Sequence, residues 1–427
     1  MNRKQRRELR KDKDLVRELY SIISKYLPNL LNMFEELKDS RNQSYVTYKM
    51  KTICVTRLFG LLCGLTTMTD ISNEFNSECA IKNISKICGQ NLNELPYWET
   101  IQDVFVNIDT EELRKIQKYI VKTLIRSKMF DKYRFNGCFQ LLFDGTGLSN
   151  HDYNLNNNCL TRKHKDGKIS YYKYILECKL VVGNIVISLD SEFIENEKML
   201  TEKQKQDCET NAFKRMIKRI KKNYPKYKFI VTGDALYATS PIIKLCEKYH
   251  WYYIFNLKPD RLKEINETFE DNINYKNETS HKNYYLSTCI NYRGNSLNAF
   301  KFIEIKKGKT TTFRYISNLD VKDSNIKEIV SIGRKRWKIE NEGFYTQKHR
   351  TFNISHLNSR NDTAMKNHYF FIQFAHTIRQ LLEQGNILVK SLKLKIKEVS
   401  TLLLKALTSN TSDLNIAKNK FQLRFDD

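Results

Sequence analysis

Two acids stand where strand-like runs stop. Cys138-Phe139-Gln140-Leu141-Leu142-Phe143 is largely apolar, and Asp144-Gly145-Thr146-Gly147 follows it. Phe229-Ile230-Val231 runs into Thr232-Gly233-Asp234-Ala235 in the same way. Carboxylates at the carboxyl ends of strands in one sheet face a common crevice. Oxygen ligands held there suit Mg²⁺, which takes one or two carboxylates and keeps waters for a phosphate substrate. A third acid, Glu340, lies in a helix-like segment from Gly333 to Phe344. It comes four residues after Arg336, so the two share a helical face. Singly, such residues are ordinarily turn caps or a solvated ion pair. Together, on a basic chain, Asp144, Asp234 and Glu340 read as a two-metal site for phosphoryl transfer.

The blocks Leu141 to Gly147 (LLFDGTG), Val231 to Ala238 (VTGDALYA) and Arg334 to Phe344 (RKRWKIENEGF) carry a family resemblance. In this order they resemble bacterial insertion-sequence transposases with an Asp-Asp-Glu triad. The subgroup is the one with a β-strand insertion between the second Asp and the Glu, and the resemblance covers residues 95 to 380. It implies an α/β fold: a ribonuclease H-like mixed sheet flanked by helices, with an all-β insertion and an N-terminal helical domain. It implies a cut-and-paste DNA transposase, in which Asp144, Asp234 and Glu340 are the catalytic residues and bind two Mg²⁺ ions, with Mn²⁺ able to substitute. Arg336 and Lys348 would contact DNA phosphates. The expected partners are double-stranded DNA, as terminal inverted repeats and target, and a second copy of the chain in the DNA complex. Relatives often carry Tyr, Arg, Glu and Lys at fixed spacing around the Glu. Here Gly333 stands at the Tyr position and Gln347 at the Lys position, with Lys348 one step later. Glu342 rivals Glu340, but only Glu340 has the Arg four residues before it. A metal-dependent nuclease without strand transfer, or an inactive DNA-binding relative, is the alternative.

The elements that must position these residues follow from periodicity. Helical spacing marks Asp14 to Leu37, with Pro28 as a break, then Tyr45 to Thr67, Asp70 to Phe75, and Ile81 to Cys88 closed by Gly89. These short helices fit either a DNA-binding head of helix-turn-helix type or a packing and dimerisation bundle. Met1 to Asp14 is mostly basic, either an arm for phosphates or a solvated helix end. A basic amphipathic helix over Glu111 to Met129 precedes the first acid-bearing strand. Two strands then flank a Gly183-Asn184 turn, a hairpin signal. A helix from Thr201 to Lys222, the strand ending at Asp234, a helix over Ser240 to Tyr249 and a strand at Trp251 to Phe255 complete a β-β-β-α-β-α-β order. That order is the one a ribonuclease H-like sheet needs.

Asp207 and Glu209 suit either the rim of the metal site or the start of a helix, where acids are favoured by the macrodipole. Pro259 to Asn325 interrupts the core with three strand-like runs and Gly turns at 294 and 308. It has no Trp, so Tyr or Phe would have to stack on any unpaired base. A helix from Ser324 to Gln347 carries Glu340, another covers Thr363 to Glu383, and a basic helix covers 388 to 407. The expected division is residues 1–135 for end binding and dimerisation, 136–258 and 325–385 for the catalytic core, 259–324 for the insertion, and 386–427 for a helical tail.

Composition bounds the function. The 427 residues carry a formal net charge of +25, which points to a polyanion such as nucleic acid. An AT-rich genome would also raise Lys. The ten cysteines are scattered and form no CxxC, as expected of reduced thiols in a cytosol. His151, Cys159 and His164 have poor spacing for zinc and lack a fourth ligand. The longest apolar run, Leu58 to Leu65, is too short to span a bilayer, and no signal-peptide pattern follows the basic start. The expected location is therefore the cytoplasm, at the nucleoid.

Overall fold

The computed structural model describes residues 14–196, 206–414 and 422–426. The basic run over residues 1–13 and the expected helix start at Thr201 lie outside these.

The N-terminal region is helical. α1 (Leu15–Tyr26) is capped by Asp14, whose carboxylate accepts from the Arg17 amide at 3.0 Å. α2 (Leu30–Glu35) follows the Pro28 break. α3 (Met50–Leu62) is buried at every residue except Lys51. α4 (Met68–Phe75) opens with a reciprocal Thr67/Asp70 capping box. α5 (Glu78–Cys88) ends at Gly89, which is left-handed at φ 64°, as the sequence predicted. α6 (Trp98–Asn107) and α7 (Thr110–Arg126) lead into the sheet.

The first half of the sheet contains β1 (Phe139–His151), β2 (Leu160–Lys163), β3 (Ile169–Val182), β4 (Ile185–Ile194), β5 (Phe229–Gly233) and β6 (Tyr252–Asn256). Its spatial order is β4-β3-β1-β5-β6, with β2 sharing the outer edge of β3. β1 is antiparallel to β3 and parallel to β5, and β5 is parallel to β6. The first five residues of β1 and all of β5 are buried, as expected of strands covered on both faces. β3 and β4 meet at Gly183, whose φ of 51° permits the tight turn. α8 (Glu209–Asn223) links β4 to β5, and α9 (Ser240–Lys248), with Pro at its start, links β5 to β6. This is the ribonuclease H-like order.

The insertion contains α10 (Lys263–Asp271), β7 (Tyr275–Glu278), β8 (Lys282–Tyr292), β9 (Asn295–Lys306) and β10 (Lys309–Ser317). The three predicted strand runs fall inside β8, β9 and β10, while α10 makes the insertion more than all-β. Its strands do not form a separate body. β10 pairs antiparallel with β6, placing Ile316 opposite Phe255, so the core sheet continues through β10-β9-β8-β7.

α11 (Ile326–Arg334) packs Ile326, Ile329 and Val330 in one apolar cluster with Tyr284, Phe300, Phe302 and Tyr315 of those strands. The helix expected over residues 324–347 is therefore broken. α11 stops at Arg334, a wider π-helical turn spans Ile339–Tyr345, and α12 (Thr346–His349) follows. α13 (Asp362–Gln380) is buried almost throughout and lies against α3, α6, α7 and β4, so the N-terminal helices share the core's apolar cluster. The predicted tail helix is two, α14 (Ile387–Ser391) and α15 (Ile396–Ser409), separated at Lys393 with φ 48°. α15 packs on α1 and α5.

Candidate active site

The parallel register of β1 and β5 sets Leu142 beside Thr232 as its last pair. Asp144 and Asp234 each come two residues later, so neighbouring parallel strands deliver both acids at one end of the sheet. Beneath them the Gln140 amide donates to Thr232 Oγ1 at 3.0 Å and to the Ile332 carbonyl at 2.8 Å. One side chain thereby ties both strands to the helix that leads to Glu340. The π-helical turn that contains Glu340 packs against β1 and β4. Turns of this wider kind are frequent at functional sites.

Arg336 is only 9 % exposed. Its Nη1 donates to Glu340 Oε1 at 2.8 Å and lies 3.7 Å from Asp144 Oδ2. Asp144 and Glu340 thus share one guanidinium. Asp234 Oδ2 lies 3.7 Å from Lys258 Nζ, and its Oδ1 accepts from the Ala235 amide. Burial pushes the Asp144 carboxyl up to about 7; Arg336 opposes the rise, and Glu340 and Glu209 add to it. A carboxylate that ionises this reluctantly is one whose surroundings favour an added cation.

Among the described residues, no three His, Cys, Asp or Glu side chains converge closely enough to hold a metal ion. The gap between Asp144 and Glu340 is spanned by Arg336 instead. The chemistry of the donors nevertheless fits a hard divalent cation. All three are carboxylates, and the most buried, Asp144, does not end its strand as the sequence suggested: β1 leaves β5 after Leu142 but continues antiparallel to β3 through His151, while Asp234 comes just past the end of β5. Asp144, Asp234 and Glu340 would hold the ion, with Arg336 displaced from between them.

Glu209 is the residue that sequence reasoning left unresolved. It begins α8, and its carboxylate accepts the Tyr174 hydroxyl at 2.9 Å and the Tyr237 hydroxyl at 3.0 Å. It packs over Gly145, where a Cβ would come within 2.6 Å of both the Glu209 carboxyl carbon and the Tyr174 ring. Asp207 goes elsewhere, forming a forked pair with Arg215 at 2.6 and 3.2 Å. Both acids were visible in the sequence, but the start of the helix that separates their roles was not.

The departures around Glu340 have packing causes. A Cβ on Gly333 would lie 2.9 Å from the Tyr315 ring and 3.2 Å from Ile254, so a tyrosine has no room. Gln347 is fully buried and donates to Gln373 at 2.8 Å, with His376 Nδ1 at 3.0 Å. The same Gln373 receives Lys179 Nζ at 2.9 Å, and Lys179 pairs with Glu177 at 3.0 Å, both with no exposure. Glu177 stands opposite Asp144 in the β1–β3 register and accepts Tyr369 and Ser188 hydroxyls. A buried polar network thus runs from beneath Asp144 to the helix after Glu340. Lys348 is half-buried, and desolvation lowers its pKa. Glu342 lines a different cavity of about 200 Å³ with Arg350, His376 and Arg379, which leaves Glu340 as the acid turned toward Asp144. All ten cysteines are free, Cys159 is buried, and His164 pairs with Ser170 at 2.9 Å. Among the described residues, no helix is long and apolar enough to cross a membrane.

Comparison with known proteins bears on the same residues. The model of the transposase DDE domain matches residues 141–378, from Leu141 in β1 to Ile378 near the end of α13. A second model, of the segment associated with that domain, matches residues 31–119 of the helical region. A search of curated proteins finds no match. Members of this family act on DNA and generally use divalent metals. The first match spans more than half of the chain and contains all three acids, and the protein belongs to the DDE transposase family of insertion-sequence type.

Proposed function

We propose that the protein excises an insertion element from double-stranded DNA and joins it to a target by cut-and-paste transposition. Asp144, Asp234 and Glu340 are the catalytic carboxylates. The observation that carries this reading is the delivery of Asp144 and Asp234 by adjacent parallel strands, with Glu340 brought to Asp144 across a single guanidinium. Bound there, two Mg²⁺ ions, or Mn²⁺ in their place, would supply an activated water and stabilise the leaving oxygen.

The chain's own residues do the rest. The three carboxylates would hold the ions, Asp144 from within β1, Asp234 from just past the end of β5 and Glu340 from the π-helical turn. Arg336, freed from Asp144 and Glu340, holds a non-bridging oxygen of the scissile phosphate by charge-assisted hydrogen bonds. Lys258 and Lys348 add positive charge along the strand. Water oxygen attacks phosphorus, the P–O3′ bond breaks, and the 3′ oxygen leaves with a proton. The resulting 3′-OH serves first against the opposite strand and later against a target phosphodiester, where a new P–O3′ bond forms as the target's own P–O3′ bond breaks and its 3′ oxygen leaves with the proton, so bonds are exchanged without an external energy source. Both ends of an element must be cut, which calls for two copies of the chain in the DNA complex. The helical region before residue 136 holds the ends, and the strands of 259–324 contact them beside the site.

The test is cleavage of supercoiled DNA carrying the element's own ends in Mg²⁺. Wild type should release the flanked segment and join it to a second plasmid. Asp144→Ala, Asp234→Ala and Glu340→Ala should still shift the end DNA in a gel but not cut it. Cutting without joining would favour a nuclease, and binding without cutting by wild type would favour a DNA-binding relative. If Glu340→Ala still cuts while Glu342→Ala does not, the third ligand is Glu342.

A further inference from the structure

An arginine is sealed inside the helical region with its charge unanswered. Arg57, in the middle of α3, has no exposed surface. Its Nη2 donates to Asn358 Oδ1 at 3.2 Å. Among the described residues, Nε and Nη1 have no hydrogen-bond partner, and no carboxylate pairs with the guanidinium. Burial alone lowers its pKa to about 9. Arg379, buried almost as deeply, shows the ordinary arrangement. It donates to Glu383, to the Leu62 and Ile396 carbonyls and to the Ser400 hydroxyl. A buried cation without a counter-ion is costly, so Arg57 gains from any anion that reaches it.

Its neighbours do not supply the missing charge. His368 of α13 sets its Nε2 3.1 Å from Gln102 Oε1, and the Gln102 amide donates to Ser359 Oγ at 2.5 Å. The ring proton is therefore on Nε2, and His368 Nδ1 is buried without a partner among the described residues. Burial, then Arg57 and His356, lower the His368 pKa well below the usual histidine range, so the ring stays neutral. The loop between α12 and α13 covers Arg57. Residues 351–361 contain no acid, and Ser355, His356 and Arg360 are exposed. Ser355 lines a cavity of about 460 Å³ with Gly147, Leu148 and Ser149 of β1, just beyond Asp144. Asn358 follows three residues later, at most ~11 Å along the chain. The loop thus leads from the surroundings of the acids to the cover of Arg57. A DNA strand bound at the acids carries further phosphates, one per ~3.4 Å of duplex axis. Asn358 offers the guanidinium a neutral amide oxygen, a weaker acceptor than a phosphate.

We propose that Arg57 is a DNA-phosphate site that Asn358 covers in the free protein. The strand shifts the loop, and one of its phosphates takes the place of the Asn358 amide oxygen on the guanidinium. The proposal rests on the transposase reading above and adds a contact from α3 beneath the loop that follows Glu340.

The experiment measures the affinity of the full chain for the element's own DNA ends across a salt series in Ca²⁺, beside thermal unfolding without DNA. Arg57→Met keeps the stem and removes the charge. It should melt no lower than wild type, bind the ends ~10-fold or more weakly, and lower the salt slope by about one. Asn358→Asp places a carboxylate against Arg57. It should melt higher than wild type and bind the ends more weakly than Asn353→Asp, which adds the same charge at an exposed position of the same loop. Wild-type affinity and slope in Arg57→Met would overturn the proposal. So would a folded Arg57→Met that melts several degrees lower, since its guanidinium would already be satisfied in the free protein. If Arg57→Met fails to fold, Asn358→Asp decides, and an affinity equal to that of Asn353→Asp sinks the idea. Inorganic phosphate that raises the melting temperature of wild type but not of Arg57→Met, with equal DNA slopes, would assign the site to a small free anion instead. Ends not held by wild type would overturn the transposase reading, and this site with it.

Discussion

Replacing Asp144 with Asn removes a carboxyl that the fold holds at a cost, so the metal-free protein should gain stability at neutral and alkaline pH. The ordinary value of 3.8 is raised to about 7, chiefly by burial, against the pull of Arg336. A raised carboxyl means that the folded state favours the protonated acid. Its contribution is intact below pH 3.8, is lost as pH climbs, and is gone above about 7. Each pH unit between those values is worth about 1.4 kcal/mol, which gives ~4 kcal/mol as a ceiling. The Asp144 side chain is 22 % exposed, and water reaching it trims the figure. A gain of ~2 kcal/mol would raise the melting temperature of a chain of this length by ~2 °C. The assay is thermal unfolding of wild type and Asp144→Asn in EDTA at pH 5 and pH 8. The variant should be the more stable at pH 8, with a smaller margin at pH 5. Mg²⁺ should then raise the wild-type melting temperature more than the variant's, because binding to the folded state stabilises by mass action. An equal margin at both pH values would show a packing effect rather than an ionisation. A variant less stable than wild type at pH 8 would refute the reasoning.

Two further outcomes follow from the surroundings of the acids. Glu209→Gln keeps the size and the tyrosine contacts but removes a negative charge beside Asp144, so metal affinity by calorimetry should fall ~10- to 100-fold with the fold unchanged. Unchanged affinity would reduce Glu209 to a packing role. Lys179→Met leaves Glu177 buried and uncompensated, which should cost ~3–5 kcal/mol in urea unfolding. Glu177→Gln combined with Lys179→Met should recover much of that loss, and a double variant worse than the single one would contradict the pairing.

Asp144 and Asp234 could be singled out because two signals agreed at each, although β1 runs on through Asp144 to His151 rather than stopping there. An apolar run long enough for a buried strand ends at Asp144 and again at Asp234, and small residues follow both. The turns at Gly183, Gly294 and Gly308 were equally plain, since each adopts positive φ. Other features depend on information a local pattern does not carry. The union of β10 with β6 is a long-range pairing whose register is written in neither strand alone. The π-helical turn at Glu340 has nearly the periodicity of an α-helix, and the slip shows only where Gly333 and Gly343 pack against Tyr315 and Lys179. Glu177 and Lys179 lie two apart on β3, a spacing that reads as a solvated face, yet both are fully buried by hydroxyl and amide partners from α13 and β4. Asp207 and Glu209 were interchangeable until the start of α8 fixed which one faces Gly145.

The central claim is that Asp144, Asp234 and Glu340 form one divalent-metal site once DNA displaces Arg336. Anomalous scattering from Mn²⁺ in crystals of the protein bound to its own DNA ends tests this most directly. Two peaks within coordination distance of the three carboxylates, with Arg336 moved onto a phosphate, are the expected result. Manganese bound elsewhere while Arg336 still bridges Asp144 and Glu340 would contradict the account.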